Sequence, residues 1–140
     1  MIITQLFFDV DVFVQFARKC REIGIQCPIL PGLFPIQSYS GLSRVISFNN
    51  NHVPQKIWDD LETIKEDDQA VKDYGIHLAI QFVKQIKKET GISGFHIYTF
   101  NLERSSRLIL ERLGLVPQLE YVKPLPWNPV RIKTGHIAFL

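Results

Sequence analysis

Gln5 and Tyr98 are the two side chains in this sequence whose type and setting best suit contact with a ligand. Gln5 is a lone amide in the middle of an apolar, β-branched run, Ile2-Ile3-Thr4-Gln5-Leu6-Phe7-Phe8. An amide donates and accepts, so it can pair with a polar ligand or equally with a neighbouring backbone group. Tyr98 sits in a second such run, Gly94 to Phe100. A phenol offers an apolar face and a polar tip, suited to a ring-shaped ligand or to a core site with its hydroxyl bonded. Both pairs of readings stand open on the residues alone.

Other reactive side chains carry less. His96 is flanked by apolar residues and reads as a core histidine; His52 and His77 have no partner pattern. Glu66-Asp67-Asp68 reads as a helix-capping, solvated cluster rather than a metal site. Asp59, Asp60 and Glu62 read as one face of a surface helix. Gly91-Ile92-Ser93-Gly94 lacks the spacing of a phosphate-cradling loop. No Ser/His/Asp set can be assembled, so neither a catalytic nor a metal-ligating residue is assigned. Cys20 and Cys27 form no CxxC pair and read as two buried thiols, which suits a reducing, cytoplasmic setting.

The elements that would position Gln5 and Tyr98 follow from periodicity. Ile2–Phe8 reads as a buried strand. Asp9 or Asp11 then caps a helix to about Ile23, with Val12, Phe13, Phe16, Ala17, Cys20 and Ile23 as its apolar stripe and Gly24 as its end. Cys27 to Leu33 reads as a second strand in which Pro31-Gly32 marks the end. Ser38 or Ser40 starts a short helix to about Phe48, and Pro54 opens another to about Lys65, anchored by Trp58. The Glu66–Asp68 cluster caps a long helix from about Gln69 to Glu89, with Val71, Leu78, Phe82, Val83 and Ile86 buried. Gly94–Phe100 is the third strand, and Asn101 caps a helix to Leu113, stopped by Gly114. Strand followed by helix, three times over, implies parallel strands with right-handed crossovers. Side-chain alternation places Ile3, Gln5 and Phe7 on one strand face, and His96, Tyr98 and Phe100 on one face of another.

Composition narrows the class. Hydrophobic content of 46%, charged content of 21% and a net charge of +2 describe a globular chain. No Lys/Arg stripe interleaves with aromatics, so nucleic acid is not expected. No apolar run approaches the ~20 residues of a membrane span, and no basic segment precedes an apolar one as in a signal peptide.

Four ordered blocks resemble the methylenetetrahydrofolate reductase family. They are Ile3-Thr4-Gln5-Leu6-Phe7-Phe8-Asp9-Val10, Pro28-Ile29-Leu30-Pro31-Gly32-Leu33-Phe34-Pro35-Ile36, the stretch Ile64 to Ala79, and His96-Ile97-Tyr98-Thr99-Phe100-Asn101. The resemblance covers residues 2 to 129; Val130 to Leu140 is a divergent tail anchored upstream by Trp127. It implies an α/β fold that is part of a (β/α)8 barrel: three parallel strands with outer helices, the C-terminal portion. It implies reduction of methylenetetrahydrofolate to methyltetrahydrofolate, with FAD passing on hydride from NAD(P)H. It makes Gln5 and Tyr98 the folate contacts, leaves nearly all FAD contacts and the proton donor to preceding strands, and suggests a homo-oligomeric parent. One position departs from the pattern. Many family members carry an arginine four residues after the tyrosine, where this chain has Leu102; Arg104 lies about 200° further round a helix and is no simple substitute. The competing readings are a non-catalytic segment serving as an interaction module, or an unrelated small α/β binding module.

Overall fold

The computed structural model describes residues 1–49, 51–99 and 103–116. Three strands, β1 (Ile2–Leu6), β2 (Ile29–Leu33) and β3 (His96–Ile97), form one parallel sheet in the order β1-β2-β3. Among the described residues α1 (Val10–Glu22) links β1 to β2, α2 (Tyr39–Asn49), α3 (Gln55–Glu62) and α4 (Asp68–Thr90) link β2 to β3, and α5 (Glu103–Arg112) follows β3. The parallel strands are those the pattern implied, and they fit the three-stranded part of an α/β barrel that the resemblance implied. Phe100, Asn101, Leu102, Trp127 and the tail 130–140 lie outside the described residues.

Local chemistry sets most helix ends. The Asp9 carboxylate accepts from the backbone N–H groups of Asp11 and Val12 and caps α1. Ser38 Oγ accepts from Gly41 N–H at 3.0 Å and starts α2. Pro54 precedes α3, and Asp67 caps α4 by accepting from Gln69 and Ala70. Gly91, at φ 72°, closes α4 in the left-handed region that side chains avoid.

Several expectations shift. β2 starts at Ile29 rather than Cys27, and Pro31 and Gly32 lie within it. β3 comprises His96–Ile97 rather than the whole Gly94–Phe100 run. α3 ends at Glu62. Cys20 is buried but Cys27 only half-buried, and both are free thiols. The face that α1 buries is Val10, Phe13, Val14, Ala17 and Cys20, while Val12 (57% exposed), Phe16 (43%) and Ile23 (76%) face outward. Rotating the stripe by one position changes little in the pattern but decides what touches the sheet. On α4 the buried set is Val71, Gly75, Ile76, Ala79, Ile80 and Ile86; Leu78, Phe82 and Val83 are half-buried. The helix is packed on two sides, by α1 and α5, so one stripe does not describe it.

Three apolar clusters hold these parts together. One gathers Leu6, Phe8, Ile36, Leu42, Ile57, Leu61 and Val71 beyond the C-terminal ends of β1 and β2, under α2 and α3. Trp58 packs against it and meets Tyr39 edge-on at 5.6 Å. A second joins α1 to β2 through Ile29 and to α4 through Ile86, and the third joins Ile76, Ala79 and Ile80 of α4 to Ile109 of α5. Fully burying one such side chain contributes about 1.5–3 kcal/mol.

Candidate functional site

The site is built on a bulge in β1. Ile3 pairs with Leu30 and Leu6 with Gly32, so Thr4 and Gln5 together oppose the single residue Pro31. Proline has no N–H to give to a ladder. Side chains take over the bonding that the irregular backbone leaves undone. Thr4 Oγ1 accepts from Gly32 N–H at 3.0 Å and donates to the Gln5 carbonyl at 3.0 Å. Gln5 Oε1 accepts from Leu6 N–H at 2.9 Å. The Tyr98 hydroxyl donates to the Thr4 carbonyl at 3.0 Å.

The bulge therefore brings the two expected ligand residues to one place. Gly32 is where they converge. A Cβ there would lie 2.6 Å from the Thr4 carbonyl oxygen, 2.7 Å from the Tyr98 ring and 3.0 Å from the Gln5 carbonyl oxygen. Only a residue without a side chain lets the ring lie this close to the strand. His96 meets Tyr98 edge-on at 4.6 Å and holds the other side of the ring.

The bulge also corrects the alternation. Ile3, at 44% exposed, and Gln5 are open to solvent, but Phe7 does not share their face. It stacks on Phe13 of α1 at 5.1 Å and on Phe82 of α4 at 6.3 Å. An extra residue in the strand reverses the parity of everything after it.

What the site can do follows from which atoms are already used. The Gln5 carbonyl-type oxygen is engaged within the protein, while among the described residues its Nε2 has no partner and lies exposed. It is a donor available to a ligand. The Tyr98 proton is engaged too, leaving an aromatic surface and the oxygen's remaining lone pair. Among the described residues no group of three or more His, Cys, Asp or Glu could hold a metal ion.

Two further features stand out among the described residues. His52 Nδ1 stands 3.6 Å from Asp9 Oδ2, a pairing that sequence spacing of more than forty residues hid. Beyond the ends of β2 and β3, a cleft of about 270 Å³ is lined by Gln37, Gln69, Lys72, Ile76, Arg104 and Leu108, among others. Sequence reasoning passed over Lys72 and Gln69 because nothing in a helical stripe marks them as facing α5.

The fold agrees with what the chain resembles. The family model described as methylenetetrahydrofolate reductase matches residues 1–114. The chain belongs to the methylenetetrahydrofolate reductase family. It is 44% identical over 129 residues to "Methylenetetrahydrofolate reductase (NADH) 1" of Zea mays, covering 92% of this chain and 22% of that protein. It is 44% identical over 127 residues to "Probable methylenetetrahydrofolate reductase (NADPH)" of Caenorhabditis elegans, covering 91% of this chain and 19% of that one. With "5,10-methylenetetrahydrofolate reductase" of Pectobacterium carotovorum it shares 32% over 117 residues, 84% of this chain and 39% of the relative. The chain thus spans about a fifth of the length of the plant and nematode methylenetetrahydrofolate reductases it matches. No described helix is long and apolar enough to cross a membrane.

Proposed function

We propose that this chain is the folate-binding, C-terminal portion of a methylenetetrahydrofolate reductase barrel, residues 1–129, followed by a divergent tail, 130–140. Gln5 donates from Nε2 to an acceptor on the folate ring system, and Tyr98 supplies the apolar surface against which that ring rests. The observation that supports this reading is that the Tyr98 ring lies against the β1 bulge that carries Gln5, whose spare side-chain donor is exposed. In parallel barrels ligands lie toward the C-terminal ends of the strands, which is where Tyr98 stands.

The reaction proposed for the assembled enzyme is reduction of 5,10-methylenetetrahydrofolate to 5-methyltetrahydrofolate with NADH or NADPH, the reductants named for relatives. FAD, when bound, supplies the hydride transfer. Around the bulge the polar atoms bond one another, and Gln5 Nε2 is the single spare side-chain donor there. The role of these residues is to bind and orient folate, and preceding segments hold the flavin. A cytoplasmic, homo-oligomeric enzyme fits the two free thiols and the outward Val12 and Phe16 of α1.

The second reading is a segment without catalysis of its own, supported by the fifth of the relatives' length it spans and the open Ile3 face. Gln5→Glu tests the first reading within a complete barrel. The substitution keeps an oxygen to accept from Leu6 N–H but removes the donor. Folate affinity should fall by about 1–3 kcal/mol with flavin retained. Unchanged folate affinity would refute the assignment.

A further inference from the structure

We infer that the side of the sheet formed by the β1 edge and the outward stripe of α1 is an interface for a second copy of this chain, joined about a two-fold axis. This rests on the second reading above, of a segment that acts through its contacts, and leaves the folate face untouched. In a complete barrel a preceding strand takes this edge; in the 140-residue chain a second copy does.

Three observations carry it. The first is the edge. Among the described residues β1 is an outer strand in the order β1-β2-β3. Ile2 N–H donates to the Pro28 carbonyl at 2.8 Å, toward β2. Strand alternation then turns the N–H and carbonyl of Ile3 away from β2, where a further strand can take them. Natural edges are often guarded by proline or by charged side chains, and Ile2-Ile3-Thr4-Gln5-Leu6 has neither. The bulge at Thr4 and Gln5 limits pairing to the first residues of the strand.

The second is the stripe. Val12 and Phe16 of α1 and Ile23 at its C-cap are exposed, and their spacing lines them up along one side of the helix. Gln85 Nε2 donates to Asp11 Oδ1 at 3.4 Å and Arg18 pairs with Glu89 at 3.7 Å, which fixes the side of α1 that meets α4. At 3.6 residues per turn the stripe lies about 130° round the helix from Asp11 and Arg18. Since α4 links β2 to β3, the opposite side of α1 stands over the free edge of β1. Edge and stripe are neighbouring parts of one surface, and grouped apolar side chains of this kind mark a contact rather than chance exposure.

The third is self-complementarity, in shape and in charge. A two-fold axis perpendicular to the sheet pairs the two β1 strands antiparallel and sets the two α1 helices side by side, also antiparallel. Val12 of one copy then meets Ile23 of the partner subunit, and the reverse, with both Phe16 rings near the axis. The charges favour that direction. Asp9 and Asp11 stand at the start of α1, while Lys19 and Arg21 in its last turn outnumber Glu22. Antiparallel packing sets each acidic end beside the basic end of the other copy, where parallel packing would set like beside like.

The test uses the full 140-residue chain, reduced because Cys20 and Cys27 are free thiols, in sedimentation velocity over a range of concentrations, together with hydrogen exchange at the Ile3 amide. A plateau at two copies is expected. Phe16→Glu or Ile23→Glu should weaken the dimer about tenfold or more and speed exchange at Ile3. Ile23 is the more exposed of the two, so Ile23→Glu decides the matter if circular dichroism shows that Phe16→Glu disturbs the fold. Lys19→Glu should weaken the dimer as well, whereas Lys84→Glu, at an exposed position of α4, should not. A monomer at every concentration overturns the interface, as does a dimer indifferent to Phe16→Glu and Ile23→Glu. Association that grows past two copies without a plateau overturns the two-fold axis. A dimer broken by Ile23→Glu with exchange at Ile3 unaltered upholds the helix stripe and overturns the strand pairing. Folate binding is read separately, through Gln5→Glu, and none of these outcomes bears on it.

Discussion

The Tyr98 hydroxyl donates to the Thr4 carbonyl at 3.0 Å, passing over the α-carbon of Gly32 and tying the residue after β3 to the bulge of β1. It spans the sheet, since β2 lies between the strands it joins. Removing only the oxygen, by Tyr98→Phe, leaves a carbonyl that the strand irregularity cannot satisfy. Stability should fall by about 1–3 kcal/mol in urea unfolding. The ring remains, so in a complete barrel folate affinity should drop less for Tyr98→Phe than for Tyr98→Ala. Equal losses would mean that the hydroxyl, rather than the aromatic surface, is what the ligand uses.

Gly32→Ala should be more damaging than its size suggests. The new methyl would meet two backbone carbonyls, which cannot yield as a flexible side chain does. The expected cost is about 1–3 kcal/mol of stability, with Tyr98 displaced. A tyrosine fluorescence or ring-proton signature unaltered at Tyr98 would contradict the contact.

Gly75→Ala reverses a common rule. In an open helix that change stabilises by roughly 1 kcal/mol. Here the methyl would come within 2.2 Å of the Ile36 carbonyl oxygen, because α4 lies directly on the chain after β2. Thermal unfolding of the variant should begin at a lower temperature than that of the parent. A rise in melting temperature would show that the helix can retreat at no cost.

Tyr74 should titrate abnormally. Burial, then its hydrogen bond to Asp60 and that group's charge, push its phenol well above the usual tyrosine range. Its folded value is raised above the unfolded one, so its contribution to stability is complete below about pH 10 and is lost as pH rises beyond that. Tyr39 is raised too, chiefly by its hydrogen bond to Glu62, so phenolate absorbance should show Tyr74 ionising after the other tyrosines, and Tyr74→Phe should remove that last step. Asp60 moves the opposite way, held low by Lys56 and Tyr74, so its part is lost only in acid.

The chain on its own should be colourless after purification. The polar atoms of the bulge bond one another and leave little for a flavin to bind. A flavin spectrum at near-stoichiometric occupancy would sink this expectation.

The helix ends were legible because their bonds are local. Asp9, Ser38 and Asp67 each cap a helix by reaching N–H groups two or three residues away, and a short window of sequence contains the whole interaction. Gln5 and Tyr98 were legible as candidates for a different reason, their polarity within apolar strands. Their juxtaposition was not, because it depends on Pro31 forcing a bulge opposite it, an event between two strands. The same holds for α1 and α4. The stripe read from hydropathy took Val12 and left out Val14, whereas packing with Ile29 and Ile86 buries Val14 and leaves Val12 outward.

Thr4 and Tyr98 are 94 residues apart, and that separation has a consequence for the chain as it is made. At a synthesis rate of about 5–20 residues per second, Thr4 leaves the ribosome roughly 5–20 s before its partner. During that interval the nascent β1 and β2 can pair, but the Thr4 carbonyl must bond water and the space above Gly32 stands unfilled. This face is therefore the last part of the described sheet to be completed, and a chain stalled before Tyr98 presents a wet, unlocked bulge to whatever quality control attends it.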